Sequence, residues 1–186
     1  MKKSVLIIGV VIVVLLIFVA IGLSNHEKSK TNTNETEVQT VSQNGVFIKF
    51  PYDWTVARSM SNDSVIAITD LNSVNESSSM GNVNVNIERR QLDGESMEDF
   101  FNDTYSNILS NTTNEVISLG NSTAFPGENA LEADYLTDTD SEPKQHKAIW
   151  VEKNGQLYVI LCTAPVNDFS NQEKYFNFIL SHIRLN

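Results

Sequence analysis

The sequence predicts an α+β fold, a central antiparallel sheet covered by helices and preceded by one transmembrane helix. Three observations carry this reading. Short apolar segments with strand-like alternation follow one another in runs, with no strand–helix–strand alternation of the parallel kind. Two segments with helical spacing interrupt and close the series. An unbroken apolar run from Val5 to Leu23 opens the chain behind Lys2 and Lys3.

That run holds 19 residues without a charge. As a helix it spans about 28 Å, close to the hydrocarbon thickness of a bilayer. Val and Ile dominate it, but in lipid the need to pair every backbone N–H inside the segment decides for helix. The lysines in front of it favour a cytoplasmic N-terminus and an extracytoplasmic remainder. A cleaved signal peptide is the competing reading, with Ala20-Ile21-Gly22 as its site, although such apolar regions usually run to about 7–15 residues. No Cys follows, so lipid attachment is closed.

Residues 24–44 are rich in Ser, Thr, Asn and Glu, with Val38 and Val41 the only apolar ones. Such a stretch buries too little surface to offset its ordering entropy and reads as a flexible tether, with room for a first short strand in its second half. Residues 45–186 read as one domain. They carry 9 Lys and Arg against 20 Asp and Glu, a net −11. The whole chain, at −10, argues against a nucleic-acid partner, since affinity for nucleic acid comes mainly from Lys and Arg. An apolar share of 41% is enough for a real core.

Within the domain, Val46–Phe50 reads as a strand stopped by Pro51, which cannot donate to a ladder. Trp54–Arg58 and Ser64–Thr69 read as two more. Asn82–Arg89 is the cleanest: Val83, Val85 and Ile87 point one way, and Asn82, Asn84, Asn86 and Glu88 the other, toward solvent. A helix over Met97–Leu109 follows. Ser96 is its N-cap, and Glu98 and Asp99 suit the positive end of its dipole. Glu115–Leu119, Glu128–Thr137, His146–Lys153 and Gln156–Ala164 read as strands. Asn154-Gly155 joins the last two as a two-residue hairpin, because both positions favour φ > 0. A final helix spans Asn171–His182, with Ser170 and Glu173 as a capping box.

These residues resemble the PsbP-like family. Val46–Trp54 (V-F-I-K-F-P-Y-D-W) is similar to the opening of such domains, an apolar strand, a Pro and then a Trp. The hairpin Val151–Ile160, Phe125-Pro126-Gly127 before the strand Ala130–Tyr135, and the closing amphipathic segment Phe176–Leu185 follow in the family's order. The resemblance covers about residues 45–186 and implies the α-β-α sandwich of the PsbP/Mog1 superfamily. It also implies a non-catalytic protein. Photosynthetic members dock on photosystem II, and others bind partner proteins or are surface lipoproteins. This chain departs from the photosynthetic pattern in its anchor and in lacking a thylakoid transit sequence, and no functional residue carries over.

The chemistry-bearing residues agree with that. His26, His146 and His182 show no metal-ligand spacing. Cys162 lies among apolar strand residues and reads as a small core hydrophobe; a lone Cys also excludes an intramolecular disulfide and a Cys-based zinc site. Asp138, Asp140 and Glu142 alternate along one loop and are the weak metal candidates, for calcium, though the loop lacks the Gly and Glu positions of an EF-hand. Asp53, Asp134 and Glu152 are carboxylates whose pairing sequence alone does not reveal. Six Asn-x-Ser/Thr sequons begin at Asn34, Asn62, Asn75, Asn102, Asn111 and Asn121. With 21 Asn in the chain, chance supplies most of them. No phosphate loop or nucleophile elbow is present. The expected protein is therefore not an enzyme and has no catalytic or cofactor residues. It is a membrane-anchored, single-pass, extracytoplasmic accessory domain that contacts another membrane or envelope protein. The alternative is an extracytoplasmic module for a cation or small solute.

Overall fold

The computed structural model describes residues 17–18, 37–75, 80–110, 113–138 and 143–186. Its strands are β1 (Ile17–Phe18), β2 (Val38–Gln43), β3 (Val46–Pro51), β4 (Trp54–Ser59), β5 (Ser64–Asp70), β6 (Val74–Asn75), β7 (Met80–Gly81), β8 (Asn84–Arg90), β9 (Glu115–Asn121), β10 (Ala130–Thr137), β11 (Lys144–Lys153), β12 (Gln156–Pro165) and β13 (Arg184–Leu185). Its helices are α1 (Met97–Ser110) and α2 (Phe169–Leu180). Ten strands form one antiparallel sheet in the order β6-β7-β1-β4-β5-β8-β12-β11-β10-β9, and β13-β3-β2 form a second, small sheet.

Two apolar layers hold the sandwich together. On one face, α2 and β3 bury Phe169, Phe176, Ile179, Val46, Ile48 and Phe50 against Val85, Ile87, Ile149 and Ile160 of the large sheet. Trp54 meets Phe176 edge-on at 6.2 Å, a favoured geometry for two quadrupoles. On the other face, α1 lays Met97, Phe101 and Tyr105 onto Trp150, Leu157 and Leu161. The antiparallel sheet with a helix on each side is as the sequence predicts.

Local signals explain the connections. Asn154 and Gly155 both take φ > 0 (53° and 72°), and β11 pairs with β12 over its full length. Asn44 and Gly45 repeat the device at 49° and 82°, closing β2 onto β3. The second half of the polar stretch is thus the first strand of the small sheet. The C-terminus is tied there too: the Asn186 N–H donates to the Gly45 carbonyl, and Tyr158 Oη donates to the Asn186 carbonyl. Ser96 caps α1 as expected, its Oγ accepting from the Asp99 N–H at 3.1 Å.

Three expectations are corrected. The polar side of β8 is not wet: Asn84, Asn86 and Glu88 are all buried. Asn86 and Glu88 are held in a polar network, while the buried Asn84 Oδ1 has no hydrogen-bond partner. Ser64 Oγ donates to Asn86 Oδ1 at 2.6 Å, Asn86 Nδ2 to Glu88 Oε1 at 3.2 Å, and Arg90 closes on Glu88 Oε2 through Nε and Nη2 at 2.9 and 2.5 Å. Asn84 Nδ2 donates to the carbonyl of Gly81, whose backbone lies so close that a Cβ there would stand 1.8 Å from Thr69 Oγ1. Alternation identifies two faces of a strand but not what covers the polar one. The second correction concerns α2, which begins at Phe169 behind Asp168. The Asp168 carboxylate accepts from the Asn171 and Gln172 amides, so Ser170 and Glu173 form no capping box. The helix ends at Leu180, so His182 falls beyond it, its Nδ1 2.8 Å from the Phe178 carbonyl. Third, His146 does not open its strand; it is the third residue of β11.

The apolar run Val5–Leu23 lies outside the described residues except for Ile17 and Phe18, which pair with Ser59 and Arg58 of β4. No helix among the described residues is long and apolar enough to cross a membrane.

Candidate functional site

The large sheet ends at β9. This strand pairs with β10 on one side, and no described strand pairs with the other. A bare edge presents unpaired N–H and C=O groups, and folded proteins usually blunt it with Lys, Pro or a bulge. β9 (E-V-I-S-L-G-N) has neither Lys nor Pro. It carries Glu115 at its start and a register shift opposite Asp134 and Tyr135, where Ile117 is the extra residue. Beyond it, Ser118–Asn121 pair in regular register with Asp134, Ala133, Glu132 and Leu131.

The two faces of this edge differ. On the α1 side, Val116 packs against the core while Leu119 remains 45% exposed; Ile117, the extra residue of the bulge, is 50% exposed. Leu109, near the end of α1, is 51% exposed. On the α2 side stand Ser118 and Gly120, opposite Asp134 and Glu132, and Glu115, opposite Leu136. Gly120 puts no side chain beside Glu132, whose side chain stays 27% exposed, while Asp134 behind Ser118 is 18% exposed.

The charge balance there is uneven. Lys147 Nζ donates to Glu132 Oε1 at 3.1 Å and stands 3.9 Å from Asp134 Oδ2. Ser122 Oγ donates to Glu132 Oε2 at 2.9 Å, and Ser118 Oγ to Asp134 Oδ2 at 3.3 Å. Asp134 Oδ1 is buried and has no hydrogen-bond partner. Partial burial raises the Asp134 carboxyl above its ordinary range, against the pull of Lys147. Burial alone would lower Lys147, but Asp134 and Glu132 outweigh it and raise the ammonium. Glu173 on α2 adds a third negative charge within electrostatic range. One ammonium thus serves three carboxylates.

His146 and Cys162 are buried within the fold. His146 is buried, stacked on Tyr135 at 4.7 Å and set between Thr137 Oγ1 (2.8 Å) and Thr163 Oγ1 (2.9 Å). Burial, with Lys144 nearby, lowers its pKa to about 3, so the ring is neutral. Cys162 is fully buried in the α2-side core, and burial pushes its thiol far above the ordinary range. Asp138 is exposed, while Asp140 and Glu142 lie outside the described residues. Among the described residues no His, Cys, Asp and Glu side chains cluster as three potential metal ligands. Of the carboxylates named from sequence, Asp134 alone enters the edge cluster. Asn62, Asn75, Asn102 and Asn121 are exposed, whereas Asn34 and Asn111 lie outside the described residues.

An antiparallel sheet with a helix on each face is an architecture shared with solved proteins. The solved cyanobacterial PsbP (CyanoP) of Synechocystis sp. PCC 6803 superposes with a TM-score of 0.60 at 12% identity, covering 86% of this chain and 98% of that one. A substituted form of protein Mog1 superposes at 0.53 with 9% identity, covering 80% of this chain and 96% of that one. At such identities the likeness shows the fold alone. No curated protein matches the sequence. The family model for PsbP-like protein matches residues 4–183, and the chain belongs to that family.

Proposed function

We propose that this chain is a non-catalytic accessory domain, displayed outside a membrane by its N-terminal apolar segment. It engages another membrane or envelope protein through the β9 edge. The carrying observation is that edge: a strand paired on one side only among the described residues, without Lys or Pro, with Ile117 and Leu119 half exposed. Half-buried or exposed apolar residues on an unpaired strand are where sheets accept other chains. The acidic domain stays soluble and is repelled by anionic headgroups, so the membrane contact falls to the apolar residues ahead of β1 and not to the domain surface. Membership of the PsbP-like family agrees with an accessory role.

Protease added to sealed cells tests the display. The expected outcome is removal of residues 37–186 from intact cells, with cleavage in the polar segment before β2. A domain that survives until the cells are lysed would contradict it.

A further inference from the structure

Resting on that reading, we propose that β9 accepts an extended segment of the partner protein as an eleventh strand, and that this segment alternates apolar residues with Lys or Arg. Strand addition follows from the bare edge: main-chain hydrogen bonds supply affinity, and side chains on the two faces supply selectivity. Alternation follows from the two-sided chemistry of β9. On the α1 side an added strand meets Leu119, with Ile117 exposed at the bulge beside it, and these call for apolar residues. On the α2 side it meets Ser118 and Gly120, then Asp134 and Glu132 one strand further in. Two strand spacings are about 9.6 Å, a gap that a Lys or Arg side chain spans toward a carboxylate when only Ser and Gly lie between. An Asp or Glu at the same place would face an excess of negative charge.

The cluster has a use for that cation. Glu132, Asp134 and Glu173 share Lys147, and Asp134 Oδ1 has no hydrogen-bond partner. A second copy of this chain does not fit the same demand. Its β9 carries Glu115 as its only charged residue, and two domains of net −11 repel.

The test uses the full chain in lipid nanodiscs and four seven-residue peptides. They are alternating Val-Lys, alternating Val-Glu, alternating Val-Thr, and Val-Lys with every second amide N-methylated. Dissociation constants come from fluorescence polarisation, and location from hydrogen exchange of residues 115–121. Val-Lys is expected to bind at least about tenfold tighter than Val-Glu or Val-Thr and to slow exchange along β9. N-methylation in the register that faces β9 is expected to abolish binding. Asp134→Asn combined with Glu132→Gln is expected to bring the Val-Lys preference down to about threefold or less. Equal binding of the three unmethylated peptides, protection outside β9, or no binding at all would overturn the proposal. Should the peptides fail while a photoreactive group at position 119 still captures one partner in cells, the strand chemistry is wrong and the accessory role stands. Should both fail, the role fails as well.

Discussion

Replacing Trp150 by Ala is expected to lower stability by about 3–5 kcal/mol, a large part of the roughly 5–15 kcal/mol that holds a domain of this kind together. Trp150 is buried at the centre of the α1-side layer. Its rings meet Phe100 at 5.6 Å, Phe101 at 5.5 Å and Tyr105 at 6.1 Å, all edge-on. Its Nε1–H donates to Tyr105 Oη at 3.0 Å. Burial pushes the Tyr105 hydroxyl well above its ordinary pKa, so it remains protonated and able to accept. Truncation removes three ring contacts, opens a cavity, and takes away the donor to that hydroxyl. Urea unfolding followed by circular dichroism measures the loss. A change below about 1 kcal/mol would mean that α1 is not held by this ring.

Acidification is expected to destabilise the domain through His146. In the unfolded chain His146 takes up a proton near its ordinary pKa of 6.5, whereas in the fold burial holds it neutral down to about 3. The unfolded state therefore binds more protons in this window. The contribution is fully present above pH 6.5 and is lost as pH falls from there toward 3. The slope is ~1.4 kcal/mol per pH unit, so pH 4.5 costs about 2.7 kcal/mol relative to neutrality. Carboxylates titrate over the same range, Asp168 lowered by its hydrogen bonds to Asn171 and Gln172 and Asp134 raised by burial. A His146→Asn variant isolates the ring, because those carboxylates remain. Its stability is expected to fall less steeply below pH 6.5 by about the slope just given. Parallel profiles for the two proteins would show that the ring stays accessible to protons.

How much of this was legible in the sequence varies by element. Asn154-Gly155 declared its hairpin because apolar alternation on both sides left only a tight turn between. Asn44-Gly45 makes the same turn, yet the residues before it are polar and set β2 no pattern; their order comes from pairing with β3. The alternation of β8 revealed two faces and hid the fate of one, since Ser64 and Arg90, which complete the network around Asn86 and Glu88, are found only through tertiary packing. Asp168 displaced the Ser170 cap because its carboxylate reaches two side-chain amides. The edge at β9 left no trace, because a strand's neighbours are long-range facts. The smallness of Ser118 and Gly120 gains meaning only when Asp134 and Glu132 are known to stand behind them.

The claim that β9 is the surface through which this chain works is tested most directly by photo-crosslinking in living cells. A photoreactive amino acid replaces Leu119 on β9 or, as a comparison, Tyr52 at the turn between β3 and β4, which is equally exposed at 48%. The account predicts one defined adduct from position 119, the same protein each time, and none from position 52. Adducts from both positions alike, from position 52 alone, or from neither would contradict it.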